Sequence, residues 1–205
     1  MSNKKTNKSK SYMFVIIALI LISVAAFFLI QPSSGLISKD PATIALSQAD
    51  VSNLPPGLVF NSTMSEQRYK LGNYWFNDSQ LQAALNQGFM NGYYDNFFYQ
   101  DSAASNIEII GSSISTYNQS AQEILKGDIQ AYLPQYNCIS FNLPTIGDKS
   151  FGCYMVLNIS NIEMSYYEVF FYKNNVVVRT WVGQTGLVDS SAEAVQYADI
   201  IANKV

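Results

Sequence analysis

An uncharged apolar run from Tyr12 to Ile30 constrains this chain more than any other feature. A helix rises 1.5 Å per residue, so a run of this length is long enough to cross the hydrocarbon layer of a bilayer. Four lysines precede it and predict that the N-terminal end stays in the cytoplasm. We therefore expect a basic tail over residues 1–11, a single-pass signal-anchor over 12–30, and an exported remainder in an extracellular position at the cell membrane.

A cleaved signal peptide is the alternative reading of the same run. Ser23-Val24-Ala25 has the small-x-small spacing of a cleavage site. The apolar sequence continues past that site to Ile30, which favours an uncleaved anchor. Both interpretations place the rest of the chain outside the cytoplasm.

The acidic residues after the apolar run, and the lack of histidine, restrict the possible classes of function. All 15 acidic residues come after Ile30, and the chain has no histidine. A protein that binds nucleic acid needs a basic face, so nucleic acid is excluded as a partner of this chain. The lack of histidine removes the usual general base near neutral pH and the usual imidazole metal ligand. The expected partners are the lipid bilayer, through residues 12–30, and other membrane or envelope proteins.

The exported part divides into a linker and one domain. Residues 31–46 are rich in Pro, Ser and Gly and are typical of a linker, so we expect the folded domain to begin near Ser47 and to occupy residues 47–205. Its pattern predicts the order β-α-β-β-α-β-β-β-β-α, an α+β domain with a mostly antiparallel sheet flanked by helices. The last four strands are expected at Tyr136–Leu143, Phe151–Ile159, Glu163–Tyr172 and Val176–Val182.

Local signals predict where several elements begin and end. Ser120 with Glu123, and Ser190 with Glu193, have capping-box spacing ahead of apolar helical faces. Pro134 is expected to close the first of these helices. Gly111 is a candidate bulge in a strand. Asn174-Asn175 predicts a tight turn between the last two strands.

The two cysteines of the chain, Cys138 and Cys153, flank a Pro-Thr-Ile-Gly-Asp turn. An exported domain meets an oxidising compartment, so we expect them to pair in a hairpin that turns at Pro144–Asp148, with the two residues directly opposed. A redox-active pair lacks the C-x-x-C spacing, and two thiols without histidine make only half a zinc site. Asp148 is expected to hydrogen-bond its own turn.

Three stretches carry a family resemblance: "ADVSNLPPGLVF", "LPTIGDKSFGCY" and "YYEVFFYKNNVVVRTWVG", followed by an Ala-rich terminal helix. Their order resembles a broad group of exported bacterial and archaeal domains that are single-pass or lipid-anchored. The resemblance implies a PsbP/Mog1-like α/β sandwich. It rests on turns and hairpins, so it implies a fold and no activity. The cysteine pair is not a general feature of that group.

Catalytic signatures are missing from the sequence. Without histidine there is no Ser-His-Asp or Cys-His arrangement, and no glycine-rich phosphate loop is present. Asp95 with Asp101, and Glu163 with Glu168, do not have calcium-loop spacing, and we interpret them as solvated strand edges. We expect no catalytic residue, no cofactor and no metal site.

Aromatic residues and sequons supply the candidate contact sites. Five aromatic residues lie close to Asp95 in the sequence: Tyr93, Tyr94, Phe97, Phe98 and Tyr99. Side chains along a strand alternate between its two faces, so we expect some of these rings in the core and the others in an exposed strip that can contact a protein or a glycan. Trp75 and Trp181 are expected in the core. Candidate glycosylation sequons stand at Asn61, Asn77, Asn118 and Asn158.

Sparse charge, at 13% of residues, favours a domain that faces acid, because uncharged polar surfaces keep their character when carboxylates are protonated. The first functional hypothesis is a non-enzymatic, membrane-anchored accessory or partner-binding domain of a cell-envelope complex. The second is a small-ligand binder with a pocket between sheet and helix. An enzyme of another type is the third.

Overall fold

The computed structural model describes residues 36–51, 54–70, 78–103, 105–159 and 161–205. The described helices are α1 (Pro41–Ile44), α2 (Asp78–Asn86), α3 (Gln122–Tyr136) and α4 (Ser191–Lys204), with one turn of 3-10 helix at Gln48–Asp50. The strands are β1 (Val59–Phe60), β2 (Glu66–Tyr69), β3 (Phe89–Gln100), β4 (Ile107–Tyr117), β5 (Ile139–Phe141), β6 (Lys149–Ile159), β7 (Ile162–Lys173) and β8 (Val176–Thr185).

The eight described strands form a single antiparallel sheet in the order β1-β3-β4-β8-β7-β6-β5, and β2 pairs with β3 on the same side as β1. The hairpins β3–β4, β6–β7 and β7–β8 supply most of the paired residues of the sheet. Asn174-Asn175 forms the expected tight turn, with Asn174 at a φ of 55°. The prediction of an α+β domain built on a mostly antiparallel sheet with flanking helices is confirmed for the described residues.

Helices cover both faces of the sheet. Val176, Val178 and Val182 of β8 point into a core that α1 and α4 share, whereas Val177 and Trp181 point into a core on the side of α3. This alternation explains the nearly continuous apolar sequence of β8, which is buried on two sides. We call the two sides the α4 face and the α3 face.

The linker boundary at residue 46 is wrong. Ile44, Ala45 and Leu46 are almost completely buried in the core of the α4 face, and Ile37 donates its backbone N–H to the Asn175 side chain at 2.7 Å. These apolar residues lie among Pro and Ser, and that composition conceals their burial. Residues 36–46 therefore belong to the folded domain.

The first and last parts of this domain are joined by two lysines. Lys39 Nζ donates to the backbone carbonyl of Lys204 at 2.6 Å, and Lys204 Nζ donates to the carbonyl of Ala45 at 2.9 Å. Lys204 also forms an ion pair with Asp50 at 2.8 Å. We call this set of contacts the terminal clasp.

Neither predicted capping box forms. Helix α3 begins after Ala121, a fully buried residue whose N–H bonds the carbonyl of Asn174 at 2.9 Å, so a tertiary contact replaces the side-chain cap. At α4 the carboxylate of Asp189 accepts from the N–H of Ser191 at 3.0 Å, and Ser190 does not cap with its side chain. Pro134 does not close α3, which continues to Tyr136 and ends where Asn137 turns left-handed.

Cys138 and Cys153 form a disulfide with their Cα atoms 5.6 Å apart. The expected direct opposition is wrong, because Cys153 faces Ser140 in the β5–β6 register and Cys138 lies just before β5. Asp148 accepts from the N–H of Asn174 at 2.7 Å, so it bonds the neighbouring turn and not its own. The disulfide joins the end of α3 to the middle of β6.

No helix within the described ranges has the length and apolar character needed to span a membrane. The predicted basic tail and anchor, residues 1–30, lie outside those ranges, as do Trp75 and Asn77.

Candidate binding cleft on the α3 face

A cleft of about 420 Å³ lies on the α3 face of the sheet. Strands β3, β4, β7 and β8 supply its floor, and α3 supplies Tyr132 and Tyr136. The lining includes five aromatic side chains together with Lys70, Asn96, Glu168 and Arg179. This volume and this mixture of rings with a few polar groups are typical of a small-ligand site.

Glycines in β4 and β8 leave space for two aromatic rings on the floor of the cleft. A Cβ atom at Gly111 would overlap the indole of Trp181 and come within 2.5 Å of the Asp95 carbonyl. A Cβ atom at Gly183 would come within 2.5 Å of the Tyr166 ring. The rings of Trp181 and Tyr166 therefore occupy the space above two glycines, which have no side chain. Gly111 keeps regular pairing with both neighbouring strands, so the predicted bulge is wrong.

We predict that Gly111→Ala lowers the free energy of unfolding by about 2 kcal/mol, because the new methyl group has no space under Trp181. Urea unfolding followed by tryptophan emission measures this change. Gly127→Ala is the matched control: Gly127 lies in α3 with no atom near the position of the added methyl group. That substitution should stabilise the chain by about 0.5–1 kcal/mol. Equal stabilities of the two variants would contradict the packing assigned to Trp181.

An ion pair lies at the centre of the cleft. Arg179 donates to Glu168 from Nη2 at 2.6 Å and from Nε at 3.2 Å, and Nη2 also donates to the Tyr132 hydroxyl. Tyr132 in turn donates to Glu168 at 3.0 Å. The guanidinium stacks on the Tyr132 ring, with its carbon 4.4 Å from the ring centroid. Such a two-point, charge-assisted contact fixes both side chains in position.

Lys70 enters the cleft from the end of β2. Its ammonium donates to the hydroxyls of Ser113 and Ser115 at 2.5 and 2.9 Å. The aliphatic stem passes over Gly92, where a Cβ atom would collide with it. Burial of the ammonium lowers the pKa of Lys70 to about 8, although the nearby Asp128 carboxylate opposes this shift. Lys70 is therefore mostly protonated at neutral pH and below.

Two carboxyl groups are buried on the opposite, α4 face. Asp95 is inaccessible to solvent and accepts from the backbone N–H and the hydroxyl of Ser112. Burial raises the pKa of Asp95 to about 7, although the bonds from Ser112 oppose that shift. Burial and the neighbouring Glu193 carboxylate raise the pKa of Glu108 to about 7. These groups lie inside the core and away from the cleft.

The structure corrects several predicted sites. The aromatic residues after Gly92 do not form an exposed strip, because Phe97 and Tyr99 are buried in the core of the α4 face and Phe98 between them is also buried. Of the strip only Tyr94 lines the cleft, while the half-buried Tyr93 packs on the core of the α4 face. Asp95 and Glu168 are buried and are not solvated strand edges.

The sequons differ in their surroundings. Asn118 and Asn158 are exposed, and the Asn61 side chain accepts from the N–H groups of Thr63 and Met64 in a local turn. Glycosylation at these positions stays a prediction.

Sequence reasoning did not identify the residues of the cleft. Arg179 and Trp181 were visible inside the apolar strand "VVVRTWVG", and glycines stood inside four strands. A buried-strand arginine and strand glycines are signals of close approach or of a site. Trp181 is buried as expected, but it also lines the cleft.

The geometry defines an antiparallel α+β domain with a ligand-sized cleft on one face. No family model and no curated protein matches the chain. Among solved structures, the extracellular domain of PknH from Mycobacterium tuberculosis is similar at a TM-score of 0.40 and 11% identity, covering 83% of this chain and 98% of that one. LpqN, described as involved in cell envelope biogenesis of Mycobacterium tuberculosis, is similar at a TM-score of 0.30 and 10% identity, covering 71% and 87%. Neither likeness assigns a family, and the PsbP/Mog1-like resemblance stays a prediction.

Proposed function

We propose that this chain is a membrane-anchored, extracytoplasmic, non-enzymatic binding domain of the cell envelope, and that it binds a small ligand in the cleft on the α3 face. The observation that carries the proposal is the cleft itself, with rings and converging polar groups around a volume of about 420 Å³. The Arg179–Glu168–Tyr132 network holds these polar groups in place before a ligand arrives. Preorganisation of this kind reduces the entropic cost of binding.

The disulfide and the N-terminal sequence support the location. Both cysteines are oxidised to a disulfide, which persists in compartments outside the cytoplasm. The apolar run from Tyr12 to Ile30, preceded by lysines, has the length and flanking charge of a signal-anchor.

Labelling of intact cells tests the location. After treatment with a membrane-impermeant reductant, an impermeant maleimide should label the partly exposed Cys138 without permeabilisation, whereas Cys153 is fully buried and should not react. The control is a chain with both cysteines replaced by serine and with Ser9→Cys in the basic tail, which should react only in permeabilised cells. Labelling of the native cysteines only after permeabilisation would refute the extracytoplasmic placement.

A partner-binding role as an accessory subunit is the second candidate, and the sheet edge beyond β5 favours it. Among the described residues, β6 after Tyr154 is paired on one side only, with β7. Ile139, Val156 and Ile159 are exposed there, Ile139 at 63%. An apolar strand edge of this kind can accept a strand or an apolar surface of another protein.

Mild detergent extraction followed by mass spectrometry separates the two candidates. An accessory subunit should co-purify with a membrane protein, and Val156→Lys at the exposed edge should release that protein. The control is Leu85→Lys on α2, which is also an exposed apolar residue but lies away from the edge. Retention by both variants would count against the edge as an interface.

A further inference from the structure

The unused polar groups of the cleft are hydrogen-bond donors. Among the described residues, Nη1 of Arg179 has no partner, and Asn96 uses its oxygen to accept from the Trp181 indole at 3.1 Å, which leaves its amide N–H groups free. Lys70 gives two of its three N–H groups to serine hydroxyls. Both oxygens of Glu168 already accept hydrogen bonds. A ligand of this cleft must therefore bring acceptors.

The charges of the cleft favour an anionic acceptor. Glu168 neutralises Arg179 through their ion pair. Lys70 has only neutral hydroxyls as hydrogen-bond partners in the described part of the chain, and Asp128 lies beyond it at a smaller adjoining pocket. A carboxylate between Lys70 and the free Nη1 of Arg179 would receive charge-assisted hydrogen bonds, which are about twice as strong as neutral ones.

The aromatic side chains of the cleft favour a ligand whose carboxylate is attached to a flat ring. Tyr94 and Trp181 lie together, with ring centroids 5.4 Å apart and planes inclined by 33°. Tyr132 and Tyr136 of α3 face the same space, with centroids 4.4 Å apart. Aromatic faces carry negative charge density and attract C–H groups or ring edges. The volume of about 420 Å³ suits a single substituted ring and not a polymer.

We infer that the cleft binds a small carboxylate carried on a six-membered ring, with the carboxylate between Lys70 and Arg179 and the ring against Tyr94. This inference rests on the proposed ligand-binding function. An acidic sugar and an aromatic acid share the required chemistry, so both are probes in the experiment.

The experiment uses the full chain in detergent with Trp75→Phe, which leaves Trp181 as its sole tryptophan. Glucuronate and benzoate are titrated against its emission, and glucose and benzamide serve as their neutral counterparts. At least one acid should bind saturably and at least tenfold more tightly than its neutral counterpart. The acid that binds identifies the sugar or the aromatic class. Calorimetry on the unsubstituted chain gives the same comparison if Trp75→Phe does not fold.

Lys70→Gln should weaken binding of the acid about tenfold and remove the preference over the neutral compound. Lys126→Gln is the matched control, because Lys126 is an exposed lysine of α3 outside the cleft lining, and it should change affinity less than twofold. Affinity for the acid should also fall between pH 7 and pH 9, as Lys70 loses its proton.

The outcomes separate the two proposals. Equal affinities for an acid and its neutral counterpart, or full affinity in Lys70→Gln, would overturn the carboxylate inference and leave ligand binding in place. No response to any of the four compounds, by emission and by calorimetry, would overturn both.

Discussion

Lowering the pH from 7.5 to 5 should raise the free energy of unfolding by about 4 kcal/mol. Asp95 and Glu108 cause this effect, because their pKa values in the folded chain are about 7 and those of unfolded carboxyls are near 4. A raised folded pKa gives stability that is complete below the unfolded pKa and is lost as the pH rises to the folded value. Urea unfolding of the full chain in detergent at pH 5, 6.2 and 7.5 measures the slope.

Other titratable groups near the two carboxyls do not reverse this direction. Lys204 and Asp50 act on Asp95 in opposite senses, and the pKa of Glu193 beside Glu108 is itself raised by burial. The chain has no histidine, so no side chain with an ordinary pKa titrates in this window. Below about pH 4 the gain from Asp95 and Glu108 is complete, because these carboxyls are then protonated in the unfolded chain as well. A separate contribution is lost there, because hydrogen bonds from Ser105 hold the pKa of Asp101 below its usual value.

Asp95→Asn with Glu108→Gln should remove most of the dependence of stability on pH between 5 and 7.5, leaving the smaller contribution of Glu193. Asp101→Asn, at an exposed loop carboxylate, is the matched control and should keep the full slope. The full slope in the double variant would show that Asp95 and Glu108 are not its source. The expected gain in acid agrees with the prediction, drawn from sparse charge, of a domain that faces an acidic exterior.

Arg179→Met should lower the free energy of unfolding by about 3 kcal/mol. The Glu168 side chain is only 4% exposed and would remain as a buried carboxylate without its cation. The loss of stacking on Tyr132 adds to this cost. Urea unfolding of the full chain at pH 7 is the measurement.

Two further variants show whether the ion pair is responsible. Lys126→Met removes the cation of an exposed pair with Glu123 and should cost less than about 0.5 kcal/mol. Arg179→Met combined with Glu168→Leu should be more stable than Arg179→Met alone, because no buried charge remains. If the double variant is the less stable one, Glu168 does not depend on Arg179 for its charge compensation.

The sequence predicted the positions of helices and strands better than the residues at which they begin and end. Alternation and turn signals located β6, β7 and β8 to within a few residues, since those strands carry their own pattern and pair with neighbours along the chain. The predicted cap of α3 is wrong because Ala121 bonds a distant turn, which no local motif records. The predicted cap of α4 is wrong because Asp189, one residue before Ser190, accepts from the N–H of Ser191. The composition of residues 36–46 predicts a linker, since their burial depends on contacts with the last helix and strands that the local sequence does not show.

The cleft was beyond prediction for the same reason. Lys70 and Asn96 lie far along the sequence from Glu168 and Arg179, which come from the β7–β8 hairpin. Only the sheet order places β8 between β4 and β7 and so brings these side chains together. The pairing of the cysteines could be predicted, since both flank one predicted hairpin turn and the chain has no other thiol.

The terminal clasp has a consequence for how this domain can be joined to others. Lys39 and Lys204 hold the first and last described segments side by side, so the polypeptide enters and leaves at one place. A module fused after Val205 would therefore start close to Leu36. The domain would then not separate that module from whatever is joined before Leu36. Domains with adjacent ends tolerate insertion into a host protein.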